Sequence, residues 1–201
     1  GVDDFAIKFE KANDKRDGTT TKGYEPNYKK STEIRLYGNG HWDDELNYFH
    51  EVLEHAKNEY RMHIKPHDRN GLLDTVLRDS HIYPPQIQRT LPGEFYHWHS
   101  DANIPTSFKT FTYILYLNDV DEEHDGATEF SCGKCVQPKT GKLVIFPSTF
   151  TYLHRGQELK GGKVVWDKTN LAGKRVASGI YIVLLASDDA TQTTTTKIAI
   201  R

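Results

Sequence analysis

The stretch "EFYHWHSDANIP", residues 94–105, holds His97, His99 and Asp101 within five positions of a run that otherwise reads as a β-strand. Side chains alternate faces along a strand, so residues two apart point the same way. His97, His99 and Asp101 are therefore expected on one face, with Tyr96, Trp98 and Ser100 on the other. An imidazole and a carboxylate so placed can hold one ion without bending the backbone, but two ligands are too few. The third has to come from elsewhere, and the candidates are His41, His50, His55, His63, His67, His81, His124 and His154. His154 stands out, because "FPSTFTYLHRG" follows the apolar run "KLVIF" and a neighbouring strand could return it beside His99 and Asp101. His50 and His55 fall on a predicted helix, where solvated or packing roles are the ordinary ones. His99, Asp101 and His154 would make a facial triad of two histidines and one carboxylate. That set suits non-haem ferrous iron and leaves positions open for a cosubstrate and oxygen. Histidine ligands must be neutral, so metal binding is expected to weaken as pH falls through about 6 to 7.

Such a strand needs a scaffold, and 201 residues suffice for one domain with a substantial core. Hydrophobic residues make up 36% and charged residues 27%, within globular range. A formal charge of −2 argues against a general nucleic-acid or membrane-surface binder. No transmembrane span or signal peptide is visible, and two cysteines make no disulfide framework, so a cytoplasmic setting is the default expectation. Cys132 and Cys135 lack a second pair for zinc and are read as flanking a tight hairpin turn.

The first forty residues, rich in Lys, Asp, Gly and Thr, read as loop or extended arm. Residues 41–64 place Leu46, Phe49, Val52 and Leu53 at helical spacing with acidic residues at the start, which predicts an amphipathic helix. A shorter helix is expected over 70–79. After Pro84-Pro85 come short β-branched and aromatic runs separated by turn residues, which point to an antiparallel sandwich or barrel. The fold class is thus α+β, mainly β, with N-terminal supporting helices. The expected organisation is one domain: arm and helices over 1–85, a β core over 86–186, and a tail over 187–201 that is an edge strand or disordered.

Through "PGEFYHWHSD", "TYILYLNDV", "DGATEF", "VQPKTGKLVIFP", "LHRG" and "GKRVASGIYI", in that order, the chain resembles the iron(II)/2-oxoglutarate-dependent dioxygenases, specifically their prolyl 4-hydroxylase-like branch. The resemblance covers about half the chain. It implies a double-stranded β-helix, or jelly roll, with His99, Asp101 and His154 as the iron ligands. His97 does not begin an H-x-D and is read as a pocket-wall or packing residue. The resemblance further implies that 2-oxoglutarate chelates the metal and that Arg175 in "AGKRVASGIYI" holds its distal carboxylate, a task suited to a planar guanidinium. Arg175 lies 21 positions after His154, a wider gap than in most relatives, and Lys163 in the intervening segment is a competitor. Tyr116 matches a tyrosine that bonds the same carboxylate, Thr128 matches a cosubstrate contact, and Thr112 shares the strand face of Tyr116. Thr90 stands where relatives often carry a tyrosine. Trp166, with His97, is a candidate for the substrate side.

The activity so implied is hydroxylation of a C–H bond using Fe(II), 2-oxoglutarate and O2, with release of succinate and with ascorbate as a candidate reductant. A peptidyl-prolyl 4-hydroxylase is one form. The alternatives are an oxygenase of a small molecule, free amino acid or nucleobase, and a non-catalytic jelly-roll binding module. A peptide or small-molecule substrate is expected, with no nucleic acid or membrane partner and an open oligomeric state.

Overall fold

Phe5 and Phe9, one helical turn apart, are 8% and 2% exposed, and they anchor the helix α1 (Val2–Lys11) to the core. The segment expected as an arm is therefore structured. It continues into β1 (Arg16–Asp17), β2 (Lys29–Lys30) and β3 (Thr32–Arg35). Strands of two to four residues are too short to print a periodicity, and the partners that stabilise them lie far along the sequence. β3 pairs antiparallel with β1 on one side and with β4 (Gln86–Arg89) on the other. The computed structural model describes residues 2–38, 40–161, 174–175, 177–186 and 193–200.

Ile34 and Leu36 point from this region into a cluster with Phe5, Phe9, Ala12, Trp42 and Ile87, against which Leu46 and Leu117 pack. Ile34 is 1% exposed, so Ile34→Val, which removes one methylene from a packed site, is expected to cost about 1 kcal/mol. An unchanged denaturation midpoint would show that this site is not tightly packed.

The two predicted helices are present as α2 (Asp43–Ile64) and α3 (Leu72–Asp79). Phe49 and Leu53 form the buried stripe of α2, while Asp43, Asp44 and Glu45 occupy its first turn, where the helix dipole favours negative charge. Arg61 clamps α2 to α3 through a two-pronged bond to Asp74, at 2.8 and 3.2 Å.

The rest is mainly β, and all pairings among the described residues are antiparallel. β2, β5 (Phe95–His99), β10 (His154–Gly156), β7 (Thr128–Phe130) and β8 (Cys135–Val136) form a five-stranded sheet in that order. β6 (Phe111–Leu115) pairs with β9 (Leu143–Pro147). Cys132 lies in the turn between β7 and β8, where Gly133 takes a φ of 84° and the Gly133 amide donates to the Phe130 carbonyl; both cysteines are free and exposed. The chain divides into two compact bodies, residues 1–163 and 164–201. In the second, β11 (Gly179–Ala186) and β12 (Thr193–Ile200) pair along their whole length, so the part of the tail over 193–200 is a strand. No helix among the described residues is long and apolar enough to cross a membrane.

Candidate metal centre

β10 lies at the middle of the five-stranded sheet, between β5 and β7, and this brings the later histidine back to the opening stretch. His154 is directly opposite His99 on one side and Phe130 on the other. The nearest nitrogen and oxygen atoms of His99, Asp101 and His154 all lie within 4.8 Å of one another. His99 Nε2 is 3.8 Å from Asp101 Oδ1, and His154 Nε2 is 3.5 Å from Asp101 Oδ2.

Each imidazole is held from behind. His99 Nδ1 lies 2.8 Å from the His97 carbonyl, and His154 Nδ1 lies 3.1 Å from the Tyr152 carbonyl. A carbonyl only accepts, so each Nδ1 carries the hydrogen and each Nε2 presents a lone pair toward the carboxylate. The donor set therefore fits a divalent first-row metal such as Fe(II). His41, His50, His55, His63, His67, His81 and His124 join no such cluster among the described residues.

The carboxylate is positioned as carefully. The Thr112 hydroxyl donates to Asp101 Oδ2 at 2.7 Å and lies 2.7 Å from Ser148 Oγ. Thr112 has one hydrogen, given to Asp101, so Ser148 is the donor in the second bond. Ser148 is 1% exposed, and its carbonyl accepts from the Ala102 amide and the Ser100 hydroxyl, both at 2.9 Å. Thr112 was expected as a cosubstrate contact; in the structure it bonds the carboxylate. Thr112→Val keeps the volume and removes the donor, and it is expected to weaken Fe(II) binding about tenfold by calorimetry. Native affinity would mean that Thr112 does not position Asp101.

One geometric expectation fails. Two steps along β10, from His154 to Gly156, match three along β5, from His99 to Tyr96, which is a β-bulge. The extra residue reverses the alternation. Tyr96, expected on the far face, stacks on His99 with centroids 3.6 Å apart and planes 15° from parallel. His97, expected beside His99, lies instead with Phe95 and Tyr28, at ring separations of 4.9 and 5.7 Å, and is exposed. No residue type in "FYHWH" announces a bulge, so the sequence concealed the part played by Tyr96. Ser148 is hidden for a plainer reason: a lone serine just past the end of a strand carries no signal of its own.

Phe146 and Phe130 wall His154 at 4.8 and 5.9 Å. Burial, reinforced by the neighbouring His154, lowers the pKa of His99 to about 4, so it is neutral at pH 7. Burial also raises the Tyr96 hydroxyl, with the charge of Asp101 adding to it. Tyr116 donates to Thr128 Oγ1 at 2.7 Å, and burial raises its pKa too. The two proposed cosubstrate residues are thus in contact. Arg175 belongs to the second body and is exposed. Lys163 and Trp166 lie outside the described residues.

Residues 85–181 match the family model of the 2OG-Fe(II) oxygenase superfamily. That match supports the 2OG-Fe(II) oxygenase superfamily. The family implies Fe(II) and 2-oxoglutarate, and the His-Asp-His cluster lies within the matched residues. Among solved structures, a Pseudomonas putida prolyl-4-hydroxylase aligns with a TM-score of 0.56 at 19% identity, over 79% of this chain and 80% of that one. At that identity the likeness bears on the fold alone, and the fold is like that of a prolyl hydroxylase. The viral collagen prolyl hydroxylase of Paramecium Bursaria Chlorella virus-1, solved with 2OG, aligns with a TM-score of 0.46 at 19% identity, over 74% of this chain and 88% of that one. No curated protein sequence matches the chain.

Proposed function

We propose that this oxygenase hydroxylates a C–H bond while 2-oxoglutarate is decarboxylated to succinate, with His99, Asp101 and His154 holding Fe(II) in a jelly-roll core spanning 86–186. The observation that carries the reading is the convergence of two Nε2 lone pairs and one carboxylate, each fixed by a hydrogen bond from behind. Bound iron supplies the oxygen activation that couples cosubstrate oxidation to substrate hydroxylation.

The chain's own residues supply aim and exclusion. The carbonyls of His97 and Tyr152 hold the imidazoles in one tautomer, and Thr112 with Ser148 fixes the carboxylate. Phe130 and Phe146 give His154 an apolar surround. The Tyr116–Thr128 hydroxyl pair offers polar contacts for the distal carboxylate of 2-oxoglutarate, whose charge needs a cation. Arg175 is the proposed cation and Lys163 its competitor. Trp166 is assigned to the substrate side, and ascorbate to keeping the iron reduced.

A prolyl 4-hydroxylase-like specificity, with a peptide substrate, is supported by the fold likeness to the Pseudomonas putida enzyme. Succinate release in the presence of Fe(II), 2-oxoglutarate and O2 tests the reading. Stimulation by proline-rich peptides is expected; stimulation by a small-molecule panel alone would move the substrate class to free amino acids or metabolites. A protein that binds neither Fe(II) nor 2-oxoglutarate by calorimetry would be a binding module.

A further inference from the structure

The N-terminal segment buries an ion pair directly behind the metal centre. Lys29 and Glu33 are 3% and 1% exposed, and their charged groups are 3.1 Å apart, with Arg16 Nε 3.8 Å from the other Glu33 oxygen. Removing two charges from water costs several kcal/mol per ion, and apolar residues of the same volume are often equally stabilising or better. A buried pair is therefore a weak source of stability, and its position suggests another use.

Lys29 lies opposite Tyr96 in the β2–β5 register, and its ammonium sits over the Tyr96 ring, 4.8 Å from the centroid. His99, stacked at 3.6 Å and nearly parallel, fills one face of that ring, which leaves the other for Lys29. Cation, phenol and imidazole thus form one column. Space for the lysine is made by Gly18, where a Cβ would fall 3.1 Å from Lys29 Cε and 2.2 Å from Ser31 Oγ.

We propose that Lys29 is a positioning residue for the metal centre, fixing the Tyr96 ring and through it the plane of the His99 imidazole. The proposal rests on His99 being a metal ligand. The bond from Nδ1 to the His97 carbonyl sets one direction of the imidazole, and the stack sets its tilt. Without the cation, the Tyr96 ring keeps the His99 stack and an edge contact with Tyr28 but loses the restraint on its other face, and the aim of Nε2 loosens. A cation on an aromatic face is worth more when desolvated, as here. Glu33 keeps the ammonium in place.

The experiment uses the full chain and Co(II) as probe. Lys29→Met is combined with Glu33→Gln, so that no unpaired charge is left buried. Two quantities are read: Co(II) affinity by calorimetry, and the NMR shifts of the His99 ring protons in the metal-free protein, which lie in the shielding region of Tyr96. The double variant is expected to bind Co(II) about tenfold more weakly and to lose the upfield shift of His99. Lys29→Arg, which retains a cation for the ring, is expected to restore both. A folded double variant with native affinity and native ring shifts overturns the proposal and leaves the metal assignment standing. Wild-type protein that binds no Co(II) overturns the metal assignment, and the positioning role falls with it. If the double variant does not fold, Tyr96→Phe and Tyr96→Leu decide. Phenylalanine keeps the column and native affinity, leucine removes it and the affinity drops; equal affinity in the two overturns the proposal.

Discussion

His99→Ala is expected to abolish Fe(II) binding at this site and to reduce succinate formation by more than about a hundredfold, since losing even an outer-shell partner of a ligand costs 10–100-fold. The reason lies in the donor count. His99, Asp101 and His154 form the one three-residue group of His, Cys, Asp or Glu able to hold a metal among the described residues. Removing an imidazole leaves a histidine and a carboxylate, with no nearby fourth group in that cluster to take its place. Asp101→Asn should be as damaging for a different reason, because it removes the charge while keeping the shape. It also offers an amide N–H to the lone pair of His154 Nε2, now 3.5 Å from Oδ2. Iron titration by calorimetry, with succinate measured alongside, checks both variants. Native iron affinity in His99→Ala would remove His99 from the ligand set, and lost turnover beside that affinity would give it a role after metal binding. A thermal melt of the metal-free variant is the control, because Tyr96 loses its stacking partner as well.

The chemistry was more legible in the residues than the fold around it. H-x-D at 99–101 needs no distant partner to be noticed, and the later histidine followed an apolar strand in the right order. The helix over 43–64 was visible because 22 residues give a stripe time to repeat. What was hidden depends on register. β1 and β2 are two residues long, below any period, and they exist because β3 and β5 offer edges to them. For that reason the segment holding Lys29 read as an arm, although it stands behind the metal centre. Strict alternation fails across "FYHWH", where one bulged residue exchanges the places of Tyr96 and His97. A bulge is set by the partner strand, here β10 with its His154-Arg155-Gly156, and 58 residues of sequence separate His154 from Tyr96. The hydroxyl relay from Ser148 through Thr112 to Asp101 joins three separate segments in the same way.

The metal-free protein is expected to lose about 3 kcal/mol of stability from His99 alone as pH falls from 7 to 4. Burial holds the folded-state pKa of His99 at about 4, whereas an unfolded histidine titrates near 6.5. Between those values the unfolded chain takes up a proton that the folded chain refuses, so acid favours unfolding. The contribution is intact above about 6.5, falls through the window and is fully lost below about 4. The side chain is 10% exposed, so solvent screens little of this. His154 and Lys29 oppose a charge on His99, while Asp101 and the His97 carbonyl favour one. Surface carboxylates titrate lower. Asp74, held down by Arg61, and Glu129, held down by Gln157 and Arg155, act below about pH 4.5. Urea denaturation at pH 7, 6, 5 and 4 separates the two ranges, and His99→Gln should flatten the slope between 6.5 and 5 without altering the steeper fall beneath it. An equal slope in wild type and variant would mean that His99 charges freely in the folded state. For metal binding the same burial moves proton competition at His99 from the expected range of 6 to 7 toward 4, because the imidazole is already neutral when the metal arrives.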